Sequence, residues 1–175
     1  MLTFYHFLVF IFMLTQPVFD FNAASNIDEW RVVNDGVMGG RSKGTFDINA
    51  EGHALFSGQI SLENNGGFSS VRYGFPKIDV SEKSEIIILL KGDKKAYQFR
   101  IKDNSRNYYS YIFPFTTNGD WQNIHIPLNE FYPSFRGRKL DLPKFSEASI
   151  EEIVFLIGNK KAERFELLID KIELK

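Results

Sequence analysis

A chain of 175 residues with 43% hydrophobic content has the size of one domain with a substantial core. Its formal net charge of -1 provides no overall field that would draw it to nucleic acid or an anionic membrane. The absence of cysteine excludes disulfides, thiolate metal sites and cysteine nucleophiles, without fixing a compartment.

Met1 to Leu14 reads MLTFYHFLVFIFML, an apolar run too short to span a bilayer comfortably and the right length for the core of a secretory signal. No Lys or Arg precedes it, and Asn22-Ala23-Ala24 is the one small-residue cleavage candidate nearby. Residues 1–16 are therefore read as a signal peptide or N-terminal anchor, and residues 17–175 as one domain. The expected location is periplasmic or secreted, with processing near Thr15 or Gln16 or with the anchor retained.

From Val18 onward the period is two. Ala54, Phe56, Gly58, Ile60 and Leu62 alternate with Leu55, Ser57, Gln59 and Ser61, as in a strand with one face buried. Tyr97, Phe99 and Ile101 alternate in the same way with Gln98, Arg100 and Lys102, followed by Tyr109, Tyr111, Phe113 and Phe115. Ile86 to Leu90 and Ile153 to Ile157 are apolar throughout and suit central strands covered on both faces. Phe165, Leu167 and Ile169 begin a last strand. Asp35-Gly36, Gly66-Gly67, Gly92-Asp93, Asn118-Gly119-Asp120 and Gly158-Asn159 mark the turns, and one short helical turn is expected at Ser149 to Glu152. Eighteen Phe and seven Tyr favour strands, so the expected fold is all-β: an antiparallel β-sandwich of about ten strands with an aromatic-rich core.

Two glycine-dense segments hold most of the candidate site. In VNDGVMGGRS, Asp35-Gly36 fits a turn with positive φ, and Gly39-Gly40 lets the backbone pass close to another surface. Either Asp35 caps backbone N–H groups and pairs with Arg41, making a rigid corner, or Asn34, Asp35 and Arg41 form a recognition surface. In ENNGGFSSVR, Phe68 is expected to plug the core, leaving Asn64, Asn65, Ser69 and Arg72 as the polar residues. If the two segments are neighbours, they make one polar patch of Asn34, Asp35, Arg41, Asn64, Asn65 and Arg72. A second candidate, FYPSFRGRKL, sets Tyr132 and Phe135 beside Arg136 and Arg138 in a Pro- and Gly-punctuated loop, an aromatic-plus-arginine combination favoured in interfaces. Tyr108 and the aromatics after it could stack ligands, although at period two they fill the core more simply.

Catalytic motifs are absent. His6, His53 and His125 lack zinc-ligand spacing, there is no GxSxG elbow, and VMGGRSKG lacks the GK[ST] ending of a phosphate loop. No cofactor is expected, although loop Asp and Asn could accept calcium.

The segments WRVVNDGVMGGRS, ENNGGFSSVR, FYPSFRGRKLD and EEIVFLIGNKKAERFELLIDKIELK together resemble the complex I intermediate-associated protein family, from about Val18 to the C-terminus. The resemblance implies a jelly roll like galactose-binding domains. It also implies that VFDFN is the first strand, which cleavage after Ala24 would remove. The implied function is a non-catalytic, chaperone-like accessory module for assembly of a protein complex, such as NADH:ubiquinone oxidoreductase. The expected partner is then another protein or protein complex, a membrane complex or an envelope protein, and not nucleic acid. The alternative, from the galactose-binding-like fold, is a carbohydrate-binding module of the cell envelope.

Overall fold

The computed structural model describes residues 15–175, and the signal-like run Met1 to Leu14 lies outside them. Among the described residues, thirteen strands form two antiparallel sheets. Their spans are β1 (Gln16–Asp20), β2 (Trp30–Asn34), β3 (Lys43–Ile48), β4 (Ala54–Ile60), β5 (Ser69–Asp79), β6 (Glu85–Gly92) and β7 (Ala96–Lys102), followed by β8 (Ser110–Thr116), β9 (Trp121–Pro127), β10 (Tyr132–Phe135), β11 (Arg138–Lys139), β12 (Ser149–Ile157) and β13 (Glu163–Leu174). The sequence suggests about ten; β10 and β11 are too short to show a period, and β2 carries no alternation.

One sheet runs β3-β4-β13-β6-β9, with β1 also paired to β13. The other runs β11-β10-β8-β7-β12-β5-β2. The period-two strands meet between them: Phe56, Ile88 and Leu167 of the first sheet and Val71, Phe99 and Phe155 of the second are fully buried. Such burial of aromatic and branched side chains supplies the main drive to fold, each contributing roughly 1.5–3 kcal/mol. At one end Phe19, Phe21, Trp30 and Tyr73 form a ring cluster, with Trp30 stacked on Tyr73 at 4.8 Å.

β12 is the central strand expected from its apolar run, and Ile153 to Ile157 are all buried. β6 departs from that expectation, since Ile87 and Leu89 are only half-buried on the outer face of their sheet. The helical turn expected at Ser149 is instead the start of β12, because Ser149 and Ile150 pair with Asp79 and Ile78 of β5.

Candidate functional site

The two glycine-dense segments do meet, and a single carboxylate joins them. Asp35 opens a 3-10 turn after β2 and is 2% exposed. Its Oδ1 accepts the Ser42 amide at 3.0 Å; its Oδ2 accepts the Ser42 hydroxyl at 2.5 Å, the Gly67 amide at 2.6 Å and the Phe68 amide at 3.3 Å. Burial opposes the charge, but the hydrogen bonds from Ser42, Gly67 and Phe68 outweigh it and hold the carboxyl below the usual carboxylate range. Glycine is required beside it: a Cβ on Gly40 would sit 2.3 Å from Asp35 Cγ, and one on Gly66 would sit 2.6 Å from Oδ2.

Arg41 is not the partner of Asp35. It points outward and pairs with Glu63 at 2.8 Å, both largely exposed, because backbone amides already occupy the Asp35 oxygens. The positive φ lies at Gly39 (85°), not at Gly36, because Gly36 sits inside the 3-10 turn that Gly39 ends. Asn34 and Asn64 also hold the corner. Asn34 Oδ1 accepts the Ser69 hydroxyl at 2.7 Å and the Gly44 amide at 3.2 Å, while Asn64 Nδ2 donates to the Gly39 carbonyl at 2.9 Å.

The corner forms one end of a cleft of about 590 Å³ on the face of the seven-stranded sheet that points away from the core. Residues that alternate with the core residues line it. Arg72, Val154 and Arg100 lie in register across β5, β12 and β7, and Ser70, Leu156 and Gln98 form the next row. Asn65, Gly67 and Phe68 make the wall nearest the corner, so Phe68 lines the cleft and is only half-buried, contrary to its expected place in the core.

The opposite wall is the second candidate. β10 and β11 join through a two-residue turn with positive φ at Arg136 (48°) and Gly137 (76°), the geometry that suits a tight hairpin. This turn presents Phe135 and Arg136 to the cleft, with the Arg136 guanidinium 5.2 Å from the centre of the Phe135 ring. Tyr108, 64% exposed, meets Phe135 edge-on at 5.1 Å and 85°. Tyr132 and Arg138 stay outside the lining; Lys139 Nζ lies 5.4 Å from the Tyr132 ring centre.

The two candidate patches thus contribute four lining residues to one cleft: Asn65 and Arg72 from one side, Phe135 and Arg136 from the other. Tyr108, offered by the sequence only as an aromatic that could stack a ligand, lines it too, whereas sequence reasoning misses Gln98, Arg100, Lys102, Ser110, Val154 and Leu156. Gln98, Arg100 and Lys102 are the polar half of the β7 alternation, indistinguishable in sequence from a solvated face, and Val154 and Leu156 belong to an apolar run that reads as covered on both faces.

Charge is concentrated here. Arg72, Arg100, Lys102 and Arg136 line the cleft, and no lining residue is Asp or Glu. Arg100 donates from Nε and Nη2 to the neutral Gln98 Oε1 at 3.1 and 2.6 Å. Burial, followed by the charge of Arg72, lowers its pKa to about 10, with Tyr132 acting the other way. Arg72 reaches Glu152 only at 4.0 Å, and its Nε is buried without a hydrogen-bond partner. Lys102 Nζ donates to the Asn107 carbonyl at 2.6 Å. Among the described residues no group of three or more His, Cys, Asp or Glu side chains is placed to hold a metal ion.

A family model for complex I intermediate-associated protein 30 matches residues 19–169. The chain belongs to the complex I intermediate-associated protein 30 family. Similar curated relatives are the mitochondrial complex I intermediate-associated protein 30 of Drosophila melanogaster, 26% identical over 73% of this chain, and that of Mus musculus, 27% identical over 90%. This family member spans about half the length of those relatives, covering 50% and 55% of them. The fold is similar to the family 11 carbohydrate-binding module of a Clostridium thermocellum cellulosomal cellulase (TM-score 0.68, 18% identity, 91% of this chain and 93% of that one). That module in complex with a β-1,3-1,4-mixed-linked tetrasaccharide gives TM-score 0.64 at 20% identity, covering 86% of this chain and 91% of that one. At this identity the likeness shows the fold alone, an antiparallel β-sandwich. No helix among the described residues is long and apolar enough to cross a membrane.

Proposed function

We propose that this chain is a non-catalytic accessory module that holds a segment of a partner polypeptide in the cleft during assembly of a protein complex. The observation that carries this reading is the cleft itself, an open groove crossing the sheet from β2 to β10, whose floor sets Val154 and Leu156 among Arg72 and Arg100 and whose rim is aromatic. The family relatives, named for association with complex I intermediates, support a protein complex as the partner. A binding role suits the lining, where Asn65, Gln98 and the cationic side chains offer hydrogen bonds beside apolar Val154 and Leu156. Purified domain, used to capture proteins from native membrane and envelope fractions, tests it. One stoichiometric protein, lost when Leu156→Arg fills the floor, is expected; unchanged capture by a folded Leu156→Arg would contradict the cleft as the site.

The second reading is carbohydrate binding. It rests on the exposed Tyr108 ring at the cleft rim and on the fold shared with a tetrasaccharide-bound module. A saturable glycan-array signal that Tyr108→Ala removes would favour it.

The apolar run Met1 to Leu14 supports export or N-terminal anchoring, with residues 17–175 as the single folded domain. Processing near Gln16 leaves β1 whole, whereas cleavage after Ala24 would remove it.

A further inference from the structure

We infer that the cleft is selective for an acidic polypeptide segment, whose carboxylates lie between Arg72 and Arg100 on either side of Val154. This rests on the polypeptide-binding reading and adds the chemistry of the segment.

Four cations lining one cleft without a lining carboxylate are unexpected in a chain of net charge -1. Their present partners are weak substitutes for an anion: an amide oxygen for Arg100, a backbone carbonyl for Lys102, an aromatic ring for Arg136 and a distant carboxylate for Arg72. Arg72 and Arg100 face the same side in register with Val154, so one strand separates them and their charges repel. A carboxylate between them would relieve the repulsion and take hydrogen bonds from both guanidinium groups.

The ligand's other features follow from the floor and rim. Val154 and Leu156 offer apolar contacts between the charged positions, matching a chain that mixes acidic with apolar side chains. Sugar rings need an open aromatic face, but Arg136 lies over Phe135 and Tyr108 meets that ring edge-on, so the pair forms no flat platform. Six strands at ~4.8 Å spacing give a groove about 24 Å long, enough for ~7 extended residues.

The test uses a fluorescein-labelled peptide of about ten residues, alternating Glu with Leu and Gly, and its Glu→Gln counterpart, with polygalacturonate and mixed-linkage β-glucan as competitors, all read by anisotropy. The acidic peptide should bind, its affinity falling at least tenfold in Arg100→Met and severalfold in Arg136→Asn, a surface turn variant that keeps the fold if Arg100→Met does not. Binding should also weaken steeply as salt approaches about 1 M, where the Debye length falls to ~3 Å. Equal binding of the Gln peptide would overturn acidic selectivity and leave polypeptide binding standing. Binding of polygalacturonate or β-glucan with neither peptide bound would overturn both, and so would binding of no probe.

Discussion

The Asp35 carboxylate accepts the Gly67 amide at 2.6 Å across 32 positions of sequence, fixing the loop after β2 against the loop before β5. Together with the two Ser42 bonds and the Phe68 amide, this makes Asp35 the anchor of one cleft wall. Asp35→Ala would strand these buried donors and should cost on the order of 3 kcal/mol, read as a lowered urea midpoint. Arg41→Ala should change stability by less than about 0.5 kcal/mol, since its exposed pair with Glu63 contributes little. A double-mutant cycle should show coupling of Asp35 to Ser42 and none to Arg41. The Asp35 pKa is depressed in the folded state, so its stabilisation is present above the unfolded value of about 4 and is lost as pH falls through the folded value. The gap between wild type and Asp35→Ala should therefore narrow on acidification below that value.

Gly66 and Gly36 should behave differently despite their similar loops. A methyl on Gly66 would meet Asp35 Oδ2 at 2.6 Å, so Gly66→Ala should lower the melting temperature by several degrees, as expected for about 1–3 kcal/mol of overpacking. Nothing lies within 4 Å of a Cβ on Gly36, and its φ is not positive. Gly36→Ala should melt within a degree or two of wild type, roughly the range of a neutral surface change.

Arg100 should separate stability from binding. Its charge is disfavoured by burial and by Arg72, so Arg100→Met, which keeps much of the side-chain volume, should melt at or above the wild-type temperature while losing ligand retention. A large loss of stability in Arg100→Met would show instead that the bond to Gln98 is structural.

The fold was legible in the sequence because one face of most strands is buried, and the alternation of Tyr97, Phe99 and Ile101 with Gln98, Arg100 and Lys102 reports that directly. The meeting of the two glycine-dense segments was legible only as a conditional, because turn chemistry says that each loop is tight and not that they touch; the Asp35 carboxylate on the Gly67 and Phe68 amides joins them. That Asp35 caps backbone amides was legible too, but its pairing with Arg41 was misleading, because proximity in sequence favours Arg41 whereas the amides of Gly67 and Phe68 are brought in by long-range strand pairing. The cleft was hidden for a related reason. Arg72, Arg100 and Arg136 lie on β5, β7 and the β10–β11 turn, and the register across β12 that unites the first two is a property of the sheet. Tyr108 lies just before β8 and continues its aromatic run, so the sequence offers it for stacking without separating its 64% exposure from the burial of Tyr111.

β1 should be indispensable to the folded domain. It pairs with the end of β13, and the neighbouring Phe21 packs on Trp30 with ring centres 5.4 Å apart. A protein beginning at Gln16 should unfold cooperatively, whereas one beginning at Ser25 should expose Trp30 and lose several kcal/mol, about what removal of buried Phe21 together with half-buried Phe19 costs. Tryptophan emission during urea unfolding compares the two. Equal midpoints would show that β1 is dispensable.

Site-specific photo-crosslinking in the native host addresses the cleft most directly. A benzophenone side chain is placed at Tyr108, on the cleft rim, or at Trp121, 41% exposed on β9 of the other sheet. Irradiation should give a single discrete protein adduct from position 108 that Arg100→Met diminishes, and no adduct from position 121. A discrete adduct from position 121 alone would contradict the cleft as the binding site.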